Sequence, residues 1–313
     1  MSNLDIAIAG EINLDLILYG LPEEMPTERE LLASGFAITL GSSSAIVAHN
    51  LAALGSRVGF ITKVGDDAFG ALAMERLREP GVDLANIAHG AKSGVTLILP
   101  HGPQRHMFTY PGTISELRFE DLDLDYLASA RHFHMSSLFL QRELSPRVPE
   151  LFRRMKSAGL TTSLDTNDDP DDRWDSVLEE ILPHLDILLP NEREAMKISG
   201  ADDVESALSR LAQKVPTVVV KMGASGAAAI RDGHRVSVPA VPITVIDAVG
   251  AGDSFDAGFL HQFLRGADLA TCVAYGNLCG AFSTTACGGT EAFRDRARMQ
   301  EFLLRHDAAN PAQ

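Results

Sequence analysis

The segment best suited to catalysis is Gly250-Ala251-Gly252-Asp253, in which three small residues are directly followed by an acid. Small residues let the backbone approach a ligand closely, and glycine accepts the dihedral angles of a tight turn. Apolar residues then recur at helical spacing from Phe255 to Leu264, so the run is predicted to lie at a helix N-terminus. Free N–H groups and the helix dipole attract anions such as phosphate to that place.

Asp253 would be repelled by an anion at this helix terminus unless it has a function there. One interpretation is that its carboxylate accepts a proton from a hydroxyl group that attacks the bound phosphate. The other is that Asp253 only caps the helix and that the glycines only form a turn. The segment by itself favours neither interpretation.

A second polar pair, Asn13 and Asp15, follows the first predicted strand. The two residues are two positions apart in an extended segment, so their side chains point to the same side. An amide and a carboxylate together offer hydrogen-bond donors and acceptors to a ligand with several hydroxyl groups. Asn and Asp after a strand also form turns, and that interpretation stays open.

Asn191 and Glu194 lie three residues apart where a helix is predicted to start, and therefore on one helix face. They could hold a hydrated magnesium ion through its waters. A helix cap with an acid in the first turn explains the same residues and is favoured without further support.

The loop from Lys221 to Gly226 is rich in small residues and follows another predicted strand. A short strand, not a helix, follows the loop, which excludes a Walker or Rossmann phosphate loop. The loop could cover a nucleotide base or form a plain hairpin turn. His132 and His134 alternate along a strand with no third ligand nearby, and we interpret them as core or surface residues and not as a zinc pair.

Strands and helices alternate over most of the chain. Predicted strands cover residues 5–10, 57–62, 132–135, 160–165, 185–189 and 217–221. Predicted helices cover residues 41–54, 66–79, 146–158, 172–182, 192–199 and 204–214, and the chain after residue 250 is mostly helical. Alternating units of this kind predict a mainly parallel sheet with helices on both faces, which binds ligands outside the carboxyl ends of its strands. Residues 14–40 and a hairpin at 94–110 interrupt the alternation.

Composition limits the classes of function. The 313 residues are 45% hydrophobic, enough for a large core in one large or two smaller domains. The net charge of -15, from 27 Lys and Arg against 42 Asp and Glu, argues against nucleic acid and against an anionic membrane surface as partners. Cys272, Cys279 and Cys287 form no CxxC pair, as expected of thiols in a reducing compartment. No targeting or membrane-spanning segment is recognisable, so a cytoplasmic protein is expected.

In this order, these segments resemble the ribokinase, or PfkB-type, family of carbohydrate kinases over essentially the whole chain. Residues 250–255 resemble the C-terminal signature of the family. Asn13 with Asp15, the helix after Gly41, Asn191 with Glu194, and the loop 221–226 match family landmarks in position and order.

The resemblance implies a ribokinase-like three-layer α/β/α sandwich with a mainly parallel central sheet and a small β-sheet lid. The core would comprise residues 1–13, 41–93 and 111–313, and the lid residues 14–40 and 94–110. In this family the lid closes over the sugar and often mediates dimerisation, so a homodimer through the lid is expected.

The resemblance also implies residue roles. Asp253 would be the general base, and the amides of Gly250, Ala251 and Gly252 the anion hole. The substrate would contact Asn13, Asp15, Gly41, Ser42, Arg105, Tyr110 and Glu143. Asn191 and Glu194 would support magnesium and the phosphates of ATP. The adenine would lie near Lys221, Gly223, Gly226 and Asn277. Asp247, with the loop 283–290, would hold a potassium ion.

Three residues depart from the family pattern: Ser42 replaces a second glycine, Ile46 an asparagine and Ala248 a threonine. Ile46 cannot form a hydrogen bond, so one sugar contact of ribokinases is expected to be missing. The sequence predicts an ATP-dependent kinase acting on a hydroxyl of a small sugar or sugar-like substrate. A nucleoside kinase of the same family is the nearer alternative, since Ile46 suits a less polar ligand. A non-catalytic nucleotide-responsive binding protein is the other, and it would need no base at Asp253.

Overall fold

Hydrogen bonding gathers the strands into two sheets of unequal size. A computed structural model describes residues 4–101, 104–174 and 176–307. The strands are β1 Leu4–Ala9, β2 Asn13–Tyr19, β3 Gly35–Leu40, β4 Val58–Gly65, β5 Ile87–Gly90, β6 Gly94–His101, β7 Gln104–Tyr110, β8 Ala130–Ser136, β9 Thr161–Asp165, β10 Ile187–Leu188, β11 Thr217–Lys221, β12 Ala227–Arg231 and β13 His234–Val238. The helices are α1 Ser43–Ala53, α2 Ala68–Arg78, α3 Leu124–Ala128, α4 Val148–Ser157, α5 Ser176–Ile181, α6 Glu192–Ser199, α7 Val204–Leu211, α8 Ala251–Leu264, α9 Leu269–Ser283, α10 Glu291–Arg294 and α11 Arg296–Asp307.

The larger sheet has nine strands in the order β13-β12-β11-β10-β9-β8-β1-β4-β5. Its pairings are parallel from β11 to β5, and antiparallel where β12 meets β11 and β13. Helices cover both faces: along β1, Ile6 and Ile8 enter one apolar core, and Ala7 and Ala9 enter the other. The predicted α/β/α sandwich is therefore confirmed. The sequence analysis did not identify β5 and β13, which are short strands at the two edges of the sheet.

The smaller sheet, called the lid sheet below, has the strand order β3-β2-β6-β7. It draws its strands from the two segments that interrupt the predicted alternation. Asp15 pairs with Thr96 of β6, whereas Tyr110 pairs with the neighbouring Val95. Since successive side chains point to opposite faces, Asp15 lies on the inner face of the lid sheet and Tyr110 on its outer face. The division into core and lid domains stays a prediction, and residues 1–3, 102–103, 175 and 308–313 lie outside the described residues.

One predicted helix starts later than expected. Residues 172–182 were expected to be helical, but α5 begins at Ser176. The carboxylate of Asp169 accepts hydrogen bonds from the backbone N–H groups of Asp171, Arg173 and Trp174. A side chain that satisfies these groups locally competes with the helix, so the segment forms a turn.

The described cysteines Cys272, Cys279 and Cys287 are free thiols. Within the described ranges, no helix combines the length and the apolar character needed to cross a membrane.

His132 and His134 are core residues. Both side chains are fully buried in β8. The ring of His132 hydrogen-bonds the hydroxyls of Thr161 and Ser163, and that of His134 hydrogen-bonds Ser163 and Ser136 at 2.7 and 2.9 Å. Every ring nitrogen therefore has a hydroxyl partner, which satisfies buried polar groups without a metal.

The burial of His134 predicts a loss of stability in mild acid. Burial lowers the pKa of His134 to about 3, against about 6.5 in an unfolded chain. As the pH falls below 6.5 the unfolded chain therefore gains a proton that the folded protein does not, and this side chain costs about 2 kcal/mol of folding free energy between pH 7 and pH 5. In urea unfolding at both pH values, His134→Gln should lack that part of the decrease. The exposed His89→Gln is the matched control, and an equal decrease in His134→Gln and wild type would contradict the assignment.

Candidate active site

The small residues after Asp247 form a tight turn that leads into α8. Gly250 adopts a φ of 72°, and a Cβ there would lie 2.4 Å from Cα of Gly289. Both the conformation and the close approach require glycine. The first intrahelical hydrogen bond joins the Ser254 N–H to the Gly250 carbonyl at 2.9 Å, while the Ala251 N–H donates to the Ala248 carbonyl at 3.3 Å. The Ala251 amide is therefore used within the turn, whereas the amides of Gly252 and Asp253 precede the first intrahelical hydrogen bond, at the open helix terminus that an anion site requires.

Ile46 lies beneath this turn. Its Cδ1 atom would be 3.2 Å from a Cβ placed on Gly250 and 2.7 Å from one on Gly289, and the residue is 3% exposed. The isoleucine that departs from the family pattern therefore packs against the anion-binding turn. One helical turn later, Asn50 donates to the hydroxyl of Ser254 and to the carbonyl of Gly289, both at 3.0 Å, which ties α1 to the start of α8.

Asp253 occupies the first turn of α8 and is 8% exposed. Burial raises the pKa of its carboxyl to about 6, the nearby charge of Asp165 raises it further, and Lys221 and a hydrogen bond from the Ser43 hydroxyl oppose the increase. A carboxylate with a raised pKa next to an anion site is suited to accept a proton near neutral pH.

The polar pair after β1 lies in the same region. The amide nitrogen of Asn13 is 3.5 Å from Oδ1 of Asp15 and donates to the Thr96 hydroxyl at 2.8 Å. A Cβ on Gly41 would lie 2.2 Å from Oδ1 of Asp15 and 2.4 Å from Oδ1 of Asn13, so only glycine leaves these oxygens accessible. Burial raises the pKa of Asp15 to about 7, and the charge of Asp253 contributes next. The two carboxyl groups therefore face a common space.

Ser42 shows how this chain accommodates one departure from the family pattern. Its φ is 64°, in the left-handed region that favours glycine. Its hydroxyl donates to Oδ1 of Asn13 at 2.9 Å. This hydrogen bond fixes the orientation of the Asn13 amide.

The remaining predicted substrate contacts differ in their position relative to the Asn13–Asp15 pair. Arg105, on β7, is close enough to Asp15 for its charge to oppose the rise in the pKa of that carboxyl. Tyr110 is 55% exposed on the outer face of the lid sheet. Glu143 has a half-exposed side chain that pairs with Arg118 at 3.4 Å, and its contacts do not include the Asn13–Asp15 pair.

Two of the predicted adenine-site residues converge on one backbone segment. Gly226 has a φ of 92°, and a Cβ there would lie 2.1 Å from the carbonyl oxygen of Val238. The side-chain amide of Asn277 donates to the carbonyls of Val238 and Pro239 at 3.0 and 3.1 Å. Gly223 lies at the exposed start of the loop.

Lys221 belongs to a buried charge cluster. Its ammonium lies 2.7 Å from Asp165 and 3.0 Å from Asp256, and its side chain is only 11% exposed. Although burial opposes its ionisation, the charge of Lys221 holds the pKa of Asp165 below its usual value. Burial raises the pKa of Asp256 well above its usual range despite the charge of Lys221, so the two carboxyl groups beside the ammonium differ in acidity. A Cβ on Gly252 would lie 3.6 Å from the ammonium, which puts this positive charge beside the helix terminus.

Asn191 and Glu194 form a reciprocal cap at the start of α6. The Asn191 side chain accepts from the Glu194 N–H at 2.9 Å, and the Glu194 carboxylate accepts from the Asn191 N–H at 2.9 Å. Burial raises the pKa of Glu194 to about 7, with Asp165 adding to the effect. No group of three or more acidic, histidine or cysteine side chains in the described part of the chain is arranged as a metal cage.

Asp247 joins three segments. Its Oδ1 accepts from the Val249 N–H at 3.0 Å, and its Oδ2 accepts from the Gly288 N–H at 3.0 Å and from the Tyr19 hydroxyl at 2.9 Å. The carboxylate is 8% exposed.

The sequence analysis missed Asp165, Asp256, Ser43 and Tyr19. Signals for two of them were present: Asp165 ends a predicted parallel strand, and Asp256 lies three residues after Asp253 on one helix face. The contacts of Ser43 with Asp253 and of Tyr19 with Asp247 join segments that are distant in sequence, and no spacing rule indicates them.

The buried cluster predicts that Lys221→Met is strongly destabilising. Removing the ammonium leaves the Asp165–Asp256 pair buried without a counter-charge, which should cost about 3–5 kcal/mol. Lys214→Met is the matched control: Lys214 pairs with Glu179 on the surface, with side chains 46% and 59% exposed, and its loss should cost less than about 1 kcal/mol. Urea unfolding at pH 7 measures both, and equal losses would contradict the role given to Lys221.

Known proteins resemble this chain over most of its length. Residues 3–296 match the family model described as pfkB family carbohydrate kinase. A fructokinase from Klebsiella pneumoniae is 32% identical over 282 residues, which cover 84% of this chain and 91% of the fructokinase. A 2-dehydro-3-deoxygluconokinase from Bacillus subtilis is 27% identical over 292 residues, covering 86% and 88% of the two chains.

A solved structure has the same fold. An Escherichia coli protein assigned as ribokinase II, crystallised with ATP and Mg²⁺, superposes with a TM-score of 0.84 at 25% identity, covering 97% of this chain and all of the other. Together with the helix terminus and Asp253, these matches establish that the chain belongs to the pfkB family of carbohydrate kinases and is an ATP-dependent phosphotransferase that acts on an alcohol group of a sugar.

Proposed function

We propose that Asp253 is the general base of this kinase and that the turn at residues 250–252 binds the transferring phosphoryl group. One observation carries the proposal: a buried carboxyl with a pKa raised to about 6 lies in the first turn of α8, close enough to Asp15 for the two charges to interact. A hydroxyl held by that pair would give its proton to Asp253 while it attacks the phosphoryl group at the helix terminus. Positioning and charge stabilisation supply most of the rate in such reactions.

The sugar would be held by Asn13, Asp15, Gly41 and Ser42. The carboxylate of Asp15 would accept hydrogen bonds from sugar hydroxyls, and the side-chain amide of Asn13 would donate through its nitrogen or accept through its oxygen. Ser42 fixes this amide through its 2.9 Å hydrogen bond. Arg105 would approach from the lid sheet, where its charge favours a substrate with an anionic group, such as a sugar acid. Tyr110 and Glu143 remain predicted contacts, although Tyr110 lies on the opposite face of the lid sheet and Glu143 pairs with Arg118.

Magnesium would be held through water by Glu194 with Asn191. The fit rests on burial and charge: burial raises the pKa of Glu194 to about 7, and the charge of Asp165 adds to the rise against the opposing charge of Lys221. A cation held here would stabilise the ionised form of Glu194. When bound, the ion would neutralise charge that develops on the phosphates. A potassium ion at Asp247 would use the remaining lone pair of its Oδ1 atom. Lys221, Gly223, Gly226 and Asn277 would border the adenine. A cytoplasmic location, which supplies ATP, belongs to the same proposal.

The outer face of the lid sheet would form a homodimer interface. Phe36, Phe108 and Tyr110 are 61%, 54% and 55% exposed, and the strand register puts all three on the face opposite Asp15. Contiguous exposed aromatic side chains mark a protein-binding surface.

The substrate class is tested by ADP release with MgATP and potassium against panels of free sugars, sugar acids and nucleosides. Turnover on a sugar or sugar acid supports the proposal, and the preference between those two panels tests the role of Arg105. Turnover confined to the nucleoside panel would show that the protein is a nucleoside kinase and would refute the proposed sugar substrate. ATP binding without turnover on any panel would favour a non-catalytic nucleotide-responsive protein.

Asp253→Asn should fold normally and lose turnover. The amide keeps the size of the carboxyl but accepts no proton, and removal of a general base costs about 10²–10⁴-fold in rate. The measurement is kcat on the best substrate of the screen, and binding of MgADP with near wild-type affinity confirms that the variant is folded. Near wild-type turnover would refute the base assignment.

Activity should decline in mild acid. Because the ionised form of Asp253 is the base and its pKa lies at about 6, kcat/KM should be level above about pH 7 and decrease about tenfold per pH unit well below 6. Enzyme incubated at each pH and assayed at pH 7.5 controls for unfolding. A flat profile from pH 8 to pH 5 would contradict the prediction.

Phe108→Asp should convert a dimer into monomers, since a charge on the outer face of the lid sheet would be buried without a partner at the interface. Sedimentation velocity at micromolar concentration should give twice the 33.6 kDa chain mass for wild type and the single mass for the variant. Leu304→Asp, at a side chain that is 72% exposed on α11, is the control and should remain dimeric. A monomeric wild type would exclude the interface.

A further inference from the structure

The inner face of the lid sheet packs on the loop that leads into the anion-binding turn. Val249, directly before Gly250, is 7% exposed and forms an apolar cluster with Ile17 of β2 and Ile98 of β6. Tyr19 and Ala37 pack against the same cluster. The side chain nearest to the turn is therefore buried by the lid sheet and not by the core.

A hydrogen bond adds to this apolar contact. The Tyr19 hydroxyl donates to Oδ2 of Asp247, and the same carboxylate accepts from the amides of Val249 and Gly288. A single side chain thus joins strand β2, the start of the anion-binding turn and the loop around residue 288. Thr39 of β3 also touches this loop: a Cβ on Gly288 would lie 2.5 Å from its hydroxyl oxygen.

Strand β2 connects these contacts to the substrate pair. Asn13, Asp15, Ile17 and Tyr19 alternate along the strand, so they share the inner face. The first two lie at the proposed sugar site, and the last two hold the anion-binding turn. A shift of β2 against the core would move both sets together, because a paired strand moves as a unit.

We infer that Tyr19 and Val249 are positioning residues that couple the lid sheet to the anion-binding turn, so that the turn is held in its phosphate-binding geometry only while the lid sheet is seated. When the lid sheet lifts, the apolar cluster is exposed to water and Asp247 loses the hydroxyl of Tyr19. The turn then keeps its contacts with Ile46 and Asn50 on the core side, but it loses the restraint that the lid sheet supplies. The phosphoryl group would be gripped only when a substrate hydroxyl is in place, which limits transfer to water.

This inference rests on the proposed anion-binding role of residues 250–252. It is tested first by hydrogen–deuterium exchange, which needs no substrate. In Tyr19→Phe, the amides of Val249 and Gly288 should exchange about tenfold faster than in wild type. The Asp247 carboxylate that accepts hydrogen bonds from both amides loses its hydrogen bond from the Tyr19 hydroxyl, and hydrogen bonds to charged groups contribute most to stability. Tyr126→Phe is the matched control: its hydroxyl donates to the Asp83 carbonyl at 3.5 Å, and the amides of Val249 and Gly288 should keep wild-type rates. Wild-type exchange of both amides in Tyr19→Phe would overturn the inference.

A nucleotide titration separates this inference from the proposed function. With a saturating sugar substrate present, contacts with the γ-phosphoryl group should make magnesium–AMP-PNP bind more tightly than MgADP, and Tyr19→Phe should weaken AMP-PNP binding several-fold while leaving ADP binding unchanged. Equal affinities of the two nucleotides in wild type would refute the anion-binding turn itself. The exchange rates of Val249 and Gly288 would still report whether the lid sheet restrains the loop.

Discussion

The buried ion pair between Lys221 and Asp165 is the interaction on which the site depends. A charge in the protein interior is stable only with a partner in good geometry, so the 2.7 Å contact fixes the ends of β11 and β9 relative to each other. Asp256 extends the contact to α8. The helix terminus that faces the substrate is thereby held against two parallel strands of the large sheet, with a positive charge beside it.

The same cluster sets the electrostatics of the catalytic carboxyl. Asp253 lies in a low-dielectric region with Asp165 as a like charge and Lys221 as an opposite one. Burial and repulsion together exceed the attraction, and the pKa rises toward the working range of a base. A carboxyl in water would be fully ionised but a weaker proton acceptor at neutral pH. Structure and reactivity therefore have one cause, the concentration of acids around a buried lysine.

In the lid sheet, the alternation of side chains along β2 has a similar positioning role. It puts Asn13 and Asp15 on the same face as Ile17 and Tyr19, so the strand that carries the proposed sugar contacts also covers the loop before α8. The lid sheet consequently has two different faces. The inner face is polar at one end and apolar at the other, and the outer face is exposed and aromatic.

Much of this architecture was predictable. Residues 217–221 and 192–199 are a strand and a helix with the predicted bounds, because β-branched residues and a capping box define them locally. The segment at 172–174 was not predictable in this way, since the carboxylate of Asp169 accepts hydrogen bonds from three backbone amides. Ile46 was correctly read as unable to hydrogen-bond, but its contact with Gly250 and Gly289 depends on how α1 crosses α8.

The sequence by itself determined the fold class and the segments suited to binding an anion, because hydrophobic periodicity, glycine and capping residues act over a few neighbouring positions. The kinase family followed from the resemblance of these segments, in their order, to known carbohydrate kinases. Only the tertiary structure decided that Lys221 serves the helix terminus, that Ser43 reaches Asp253 and that Tyr19 reaches Asp247. Those contacts join residues 35 to 228 positions apart. Their geometry follows from the packing of whole strands and helices, which no local pattern encodes.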